Sequence, residues 1–258
     1  MLMPLGAPAV VVADDFGRSA AINAGILRAF EVGLISEASL MANMPGFGEA
    51  VREAHRRNLL GCIGVHLNLH EGPALTSAIL ACPRFTRADG TLCWTHRNVL
   101  ALSALERRAV TGEWRAQIQR VVHAGIAPTH LDSHHHIHTA WPFGTITLDL
   151  AREFGIPCVR LSRNCGPRPG WLVRLYKKLF NRRLRQGGFS PIRFFGAAGD
   201  VATVLAGASG PVEVMTHPQL TADGRLVDHL DGKDLAGSLG FLERRSPRRF
   251  SGLDGPVG

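Results

Sequence analysis

A short apolar run, AVVVA from Ala9, ends abruptly in two aspartates, Asp14 and Asp15, and the chain after it switches to helical spacing. A run with no polar side chain on either face suits a strand buried on both sides, the situation of strands in parallel sheets. The next segment opens at a capping residue, Ser19, carries Ile22, Ile26 and Phe30 on one face, and stops at Gly33. That is the pattern of an amphipathic helix. A strand of this kind needs parallel neighbours, and parallel neighbours need crossover connections.

The rest of the sequence supplies both. SEASLMAN, ending near Asn43, reads as the second strand, FGEAVREAHRRN as a helix, and LLGCIGVHLNL as a strand with His66 near its end. Residues 70–98 carry Pro, Gly and Thr with little periodicity and are expected to form a long loop over the site. Ser103 and Glu106 make a capping-box pair that predicts a helix to about His123. THLDSH, IPCVRL, SPIRFF and PVEVMTHP are the remaining expected strands, separated by TITLDLAREF, the basic WLVRLYKKLFNRRLR and DVATVLAGA as helices. About seven strands alternating with helices predict an α/β fold closed into a barrel rather than a flat doubly wound sheet. One domain over residues 1–245 is expected, with the Arg-, Gly- and Pro-rich residues 246–258 as a disordered tail.

Composition narrows the function classes. A chain that is 45% hydrophobic and 19% charged is too apolar for a disordered one. The formal net charge of +8 raises the idea of an anionic partner, but seven of the 29 Lys and Arg residues fall between Arg168 and Arg185. The excess is local. There Trp171, Leu172, Leu175, Tyr176, Leu179 and Leu184 recur at helical spacing, predicting a helix with one buried and one basic face. A solvated outer face is the plain reading of residues 168–185; a peripheral contact with phosphate, lipid or an acidic substrate is the other. No nucleic-acid module surrounds the segment and no GxGxxG or GxxxxGKS/T motif follows a strand, so neither nucleic acid nor nucleotide is expected. Cys62, Cys82, Cys93, Cys158 and Cys165 lack CxxC spacing and read as reduced thiols of a cytoplasmic protein. With no basic n-region at the start and no apolar run of about 18 residues, neither secretion nor a membrane span is expected. Assembly as a homodimer is left open.

The polar residues cluster where such folds keep their chemistry, at the carboxyl ends of the strands. ADDFG, GVHLNLHEG, HLDSHHHIH and VMTHP each end an expected strand. Residues 130–138 alone hold five of the twelve histidines, interrupted and mid-chain, unlike a terminal tag. Each motif has a plain reading: Asp14 and Asp15 as helix caps, His66 as a hydrogen-bonded core histidine. If the strand continued through the cluster, His130, Asp132, His134, His136 and His138 would share one side, with Ser133 and His135 opposite. Taken together, a carboxylate and two imidazoles from separate strands form a facial ligand set that leaves positions open for water and substrate. A second carboxylate beside it is placed for general base catalysis. A metal-dependent hydrolase is the expected class. Arg160 is a candidate partner of Asp14, against a barrel-wall arginine. Trp94, Trp141 and Phe143 are candidates to stack on a substrate ring, against plain core packing.

The ordered set VADDFGRS, GVHLNLHEG, THLDSHHHIH and EVMTHP resembles the YdjC-like carbohydrate deacetylases, a family that includes chitooligosaccharide and hopanoid-associated deacetylases. The likeness runs from about Val10 to Pro218, and the uninterrupted HHH run is closer to the chitooligosaccharide type. The resemblance implies a deformed (β/α) TIM-like barrel, a divalent metal, Mg²⁺ or Zn²⁺, held by Asp15, His66 and His134, Asp14 as catalytic base and His217 as general acid. The implied reaction is hydrolysis of an N-acetyl group from a small amino sugar or oligosaccharide. Two other readings stand beside it: an HxH-type barrel amidohydrolase, and a metal- or sugar-binding protein without turnover.

Overall fold

The computed structural model describes residues 9–95, 101–167, 169–204 and 210–242. The expected tail at 246–258, Arg168 and the last residues of DVATVLAGA lie outside the described residues. The first unit forms as its pattern requires: β1 (Ala9–Phe16) is buried throughout, and α1 (Ala20–Glu31) starts at Ser19, whose hydroxyl accepts the Ile22 N–H at 3.3 Å. Then come β2 (Glu37–Leu40), α2 (Phe47–Arg56), β3 (Ile63–Leu67), the short α3 (Ser77–Leu80), α4 (Ala104–His123), β4 (Leu131–Ser133), α5 (Gly144–Glu153) and α6 (Trp171–Gln186). The chain continues through β5 (Phe194–Ala197), α7 (Ala198–Val204), β6 (Val212–Thr216), the strands β7 (Pro218–Leu220) and β8 (Leu226–Asp228), and α8 (Leu235–Leu239).

Six strands make one curled parallel sheet in the order β4-β3-β2-β1-β6-β5, half of a barrel. IPCVRL, an expected strand, makes only a parallel bridge, Leu131 to Val159. It nonetheless occupies a strand's place at the edge of β4, where the Leu131 N–H donates to the Cys158 carbonyl and the Arg160 N–H to the Leu131 carbonyl. From there the chain crosses the gap to β5: the Val159 N–H donates to the Phe189 carbonyl, and the Asn164 and Cys165 N–H groups to the Phe195 carbonyl. The deformed barrel therefore closes through an irregular segment. Pro157 and Pro191 stand near this seam and have no N–H to extend a ladder.

Strand alternation sorts the interior. Val11 and Ala13, Ala38 and Leu40, Ile63 and Val65, Val212 and Val214 belong to the apolar core beneath the helices. The residues between them, Glu37, Ser39, His66, Asp132 and Glu213, are equally buried but face the lumen. The oily core thus lies outside the sheet, and the inside of the barrel is ionic. Gly64 permits this filling, because a Cβ there would stand 2.4 Å from the His130 ring.

Residues 70–98 hold more order than a loop, as far as they are described. They contain α3 and the bridges Pro73–Thr91 and Thr86–Leu92, and Glu113 of α4 accepts the Leu75 and Thr76 N–H groups at 3.0 to 3.1 Å. Trp94 and Phe143, proposed for sugar stacking, pack edge to face at 5.2 Å in the core; only Trp141 of that trio is exposed. After β6 the chain forms a β7–β8 hairpin, and Gly25 lets α1 lie against it: a Cβ there would meet Gln219 Cα at 2.6 Å.

Candidate active site

The two aspartates of β1 reach the same mouth because the strand is irregular there. Ala13 pairs with Ala38 and Phe16 with Leu40, so β1 carries one more residue than β2 over this stretch, and Asp15 takes a left-handed φ of 70°. In a regular strand adjacent side chains point to opposite faces; this bulge is what re-aims one of them. A left-handed aspartate is uncommon, and such outliers concentrate at functional sites.

Three groups able to ligate a metal, one carboxylate and two imidazoles, converge at Asp15. Its Oδ1 lies 2.8 Å from His134 Nδ1 and 3.4 Å from His66 Nε2, yet no donor is aimed at it with hydrogen-bond geometry. One ligand atom from each of Asp15, His66 and His134 falls within 4.8 Å of the others, and all three residues are buried. His66 is fixed in orientation: its Nδ1 donates to Asp132 Oδ1 at 2.7 Å, leaving Nε2 to face Asp15. A carboxylate behind a histidine is the usual support of a metal-binding imidazole, fixing its tautomer and orientation. The donor set, one hard oxygen and two imidazoles, fits a zinc ion or another borderline divalent cation.

The surrounding carboxylates draw protons onto both imidazoles. Burial opposes a charged His66, but contact with Asp132 and the fields of Asp14 and Asp15 outweigh it and raise the imidazole to about 10. Burial likewise opposes a charged His134, and the Asp15 and Glu71 contacts lift it. Burial by itself would raise the Asp15 carboxyl; His134 and His66 hold it well below the carboxylate range. A second group, Asp14, His66 and Asp132, is also compact enough for an ion. Its two carboxylates already share a cation, however: Arg160 meets Asp14 in a two-pronged contact at 2.7 and 2.8 Å and Asp132 at 2.6 Å. An ion there would have to expel a guanidinium.

Asp14 and His217 face each other from β1 and the end of β6, with His217 Nε2 3.9 Å from Asp14 Oδ2. The hairpin after β6 returns Asp228 to His217, accepting its backbone N–H at 2.9 Å and standing 3.5 Å from Nδ1. Burial works against a charged His217, and Asp228 together with Asp14 raises it. Arg160, an expected partner of Asp14, is fully buried and also donates from Nε to Glu213 at 2.6 Å.

The histidine run does not continue the strand. β4 ends at Ser133, and His135 and His136 both take left-handed φ, 53° and 56°, so the chain turns sharply after His134. The five imidazoles are dispersed accordingly. His130 lies deep in the lumen between Glu37 and Ser39, at 3.0 and 2.7 Å. His138 is a buried pin: Ser133 Oγ meets its Nδ1 at 2.7 Å and its Nε2 donates to the Arg160 carbonyl at 3.1 Å. Burial and Arg160 hold that imidazole neutral, at about 4, against the pull of Asp132. His136 stands against the Phe195 ring at 5.5 Å. His135, placed opposite the others by strand alternation, is exposed, its ring tilted against that of His70 at 4.3 Å.

Sequence reasoning gave no role to Asp132, Glu71, Arg18 or Asp228. Asp132 stood in the strand-facing set without a task, and Glu71 inside a quoted motif; Arg18 Nε lies 2.9 Å from Glu71 Oε1, which is 3.2 Å from His134 Nε2. Nothing local marks Asp228, because only the hairpin brings it home.

The profile of the YdjC-like protein family matches residues 8–236. A carbohydrate deacetylase of Brevibacillus brevis is 35% identical over 93% of this chain and 93% of its own length. Another, from Halalkalibacterium halodurans, is 32% identical over 81% of this chain and 84% of its own. A solved structure of an Enterococcus faecalis V583 protein, named for cellobiose-phosphate cleavage, superposes with a TM-score of 0.65 at 23% identity, covering 84% of this chain and 83% of that one. The barrel, the order of its strand-end motifs and these relatives agree: the chain belongs to the YdjC-like family.

Proposed function

We propose that the protein is a carbohydrate deacetylase that hydrolyses the N-acetyl group of a small amino sugar or oligosaccharide, releasing acetate and a free amine. The observation that carries this reading is the meeting, at one mouth, of an Asp14–His217 pair 3.9 Å apart and a carboxylate–imidazole ligand set that does not use either of them. Asp15, His66 and His134 would hold a divalent cation, Mg²⁺ or Zn²⁺, which would supply a Lewis acid for polarising water and the acetyl oxygen. Asp14 takes the proton of the attacking water, its carboxylate oriented by the Arg160 fork. His217, held by Asp228, gives a proton to the departing nitrogen, since an amide anion is too poor a leaving group. The chemistry needs a base for the water and an acid for the leaving nitrogen, and these two residues come from separate segments of the mouth.

Acetate release from N-acetylated chitooligosaccharides tests the reading, using chelated protein reloaded with Mg²⁺ or Zn²⁺. Asp14→Asn is expected to keep its metal and lose roughly 100-fold or more in turnover. Metal-bound protein with no acetate release from any acetylated amino sugar would favour a binding protein instead. The HxH amidohydrolase reading has less support, because His136 turns toward Phe195 rather than toward Asp15. The five cysteines form no disulfide, which supports a reducing compartment such as the cytoplasm.

A further inference from the structure

α6 leaves an apolar stripe facing outward. Its inner side is well seated: Phe180, Asn181 and Leu184 are buried, and Asn181 exchanges hydrogen bonds of 2.8 and 2.9 Å with the Ser162 backbone. On the opposite side Trp171, Leu172, Leu175 and Leu179 are 66, 62, 49 and 55% exposed, at spacings that align them along one edge of the helix. Trp141, 70% exposed, extends the stripe beside Tyr176, at 5.5 Å between rings. Scattered apolar side chains on a surface need no account; a run of this size along one helix does.

Its charge identifies the occupant. Arg174, Lys178, Arg182 and Arg185 flank the stripe, and Arg174, Lys178 and Arg185 also line a cleft of about 540 Å³ against the Arg163 loop. From Phe154 to Gly199 the chain has no Asp or Glu at all and ten Lys and Arg. Pairing with a second copy through this face would bring two such helices together without a carboxylate between them. An anionic bilayer offers what the face lacks: negative headgroups for the cations and an apolar boundary for the leucines and tryptophans. Among the described residues no helix is long and apolar enough to cross a membrane, so the contact is one of lying on the surface.

We propose that α6 docks the protein on an anionic phospholipid surface. Leu172, Leu175, Leu179 and Trp171 enter the headgroup boundary, Arg174, Lys178 and Arg182 meet phosphates, and Trp141 marks the rim. The docking face is coupled to the mouth, because the Tyr176 hydroxyl donates at 2.6 Å to the carbonyl of Thr139, which ends the turn begun by His134.

Co-sedimentation of the full chain with vesicles tests this, comparing pure phosphatidylcholine with phosphatidylcholine containing phosphatidylglycerol. Binding is expected only to the anionic vesicles, weakening with salt, together with a blue shift of tryptophan emission that Trp171→Ala diminishes. Reversing three charges, Arg174→Glu with Lys178→Glu and Arg182→Glu, should lower partitioning at least ~10-fold. Leu172→Ser with Leu179→Ser should lower it while leaving the circular dichroism unchanged, since both side chains are exposed. Equal binding to both vesicle types, no binding, or binding that survives both sets of changes overturns the proposal. So does a dimer in vesicle-free solution that the leucine changes dissociate, which would assign the face to a second copy.

Discussion

Replacing Arg160 by Met isolates the ionic interior from the rest of the fold. The guanidinium is fully buried and touches three carboxylates, Asp14 at 2.7 and 2.8 Å, Asp132 at 2.6 Å and Glu213 at 2.6 Å. Methionine fills most of the stem's volume but leaves those carboxylates without their shared cation. Removing one partner of a buried ion pair costs about 3–5 kcal/mol, and screening by water gives no discount at full burial. In a domain of this size each kcal/mol shifts Tm by about 2–4 °C, so the variant should melt roughly 6–20 °C lower at neutral pH. The loss should carry a pH signature. Carboxyls stranded without Arg160 bind protons more readily in the folded state, so the deficit shrinks as pH falls and grows as it rises. The native protein runs the other way: Asp132 is held well below its ordinary value by Arg160 and His66 despite its burial, so its contribution is present above about 3.9 and lost as pH falls through the lowered value. Thermal melts of native, Arg160→Met and Arg160→Lys proteins between pH 5 and 8 measure the deficit and its change with pH. A Met variant within about 1 kcal/mol of native at neutral pH, or a deficit that does not change with pH, refutes the account of Arg160 as a charge hub.

His66→Ala and His134→Ala should each reduce bound metal per chain, whereas Asp132→Asn should keep the stoichiometry and weaken affinity by roughly 10–100-fold, read by competition with a chelating dye. In metal-free protein two sets of histidines should oppose each other: His66, raised to about 10, contributes stability that is full below about 6.5 and lost as pH rises, while His138, lowered to about 4, contributes stability lost as pH falls below about 6.5. Denaturant titrations of chelated protein should therefore peak near that pH, with limbs of up to about 1.4 kcal/mol per pH unit from each group; a monotonic profile from pH 5 to 8 contradicts it. Gly64→Ala should destabilise by about 1–3 kcal/mol through overpacking against His130, and an unchanged melting curve would mean the lumen has slack.

The alternation of buried strands and amphipathic helices, the Ser19 cap and the Ser103–Glu106 capping box were all legible because each is a local pattern. So was the convergence of Asp14, Asp15, His66, His134 and His217, since parallel strands deliver their carboxyl ends to one side whatever the spacing between them. What failed was information held in tertiary contacts. IPCVRL looks like a strand, but its edge position and nearby prolines leave it with a single bridge. Trp94 and Phe143 sit in loop sequence yet are core residues, because residues 70–95 fold back against α4 and bring Trp94 onto Phe143. Asp228 is twelve residues past Thr216 and reaches His217 only through a hairpin with no apolar alternation to announce it. The extra residue in β1, which lets two neighbouring aspartates share a mouth, has no glycine at Asp15 to mark it.

Three consecutive histidines, His134, His135 and His136, are chemically interchangeable, so composition cannot say which of them belongs beside Asp15. A slip of one residue would still present an imidazole, and the error would be silent to any recognition based on side-chain type. The structure removes that ambiguity with backbone rather than chemistry: two left-handed residues set the turn, and the Ser133–His138 clamp closes it at 2.7 Å. Which histidine stands beside Asp15 is thus stored in a register, and the residues that keep the register, Ser133 and His138, lie outside that contact.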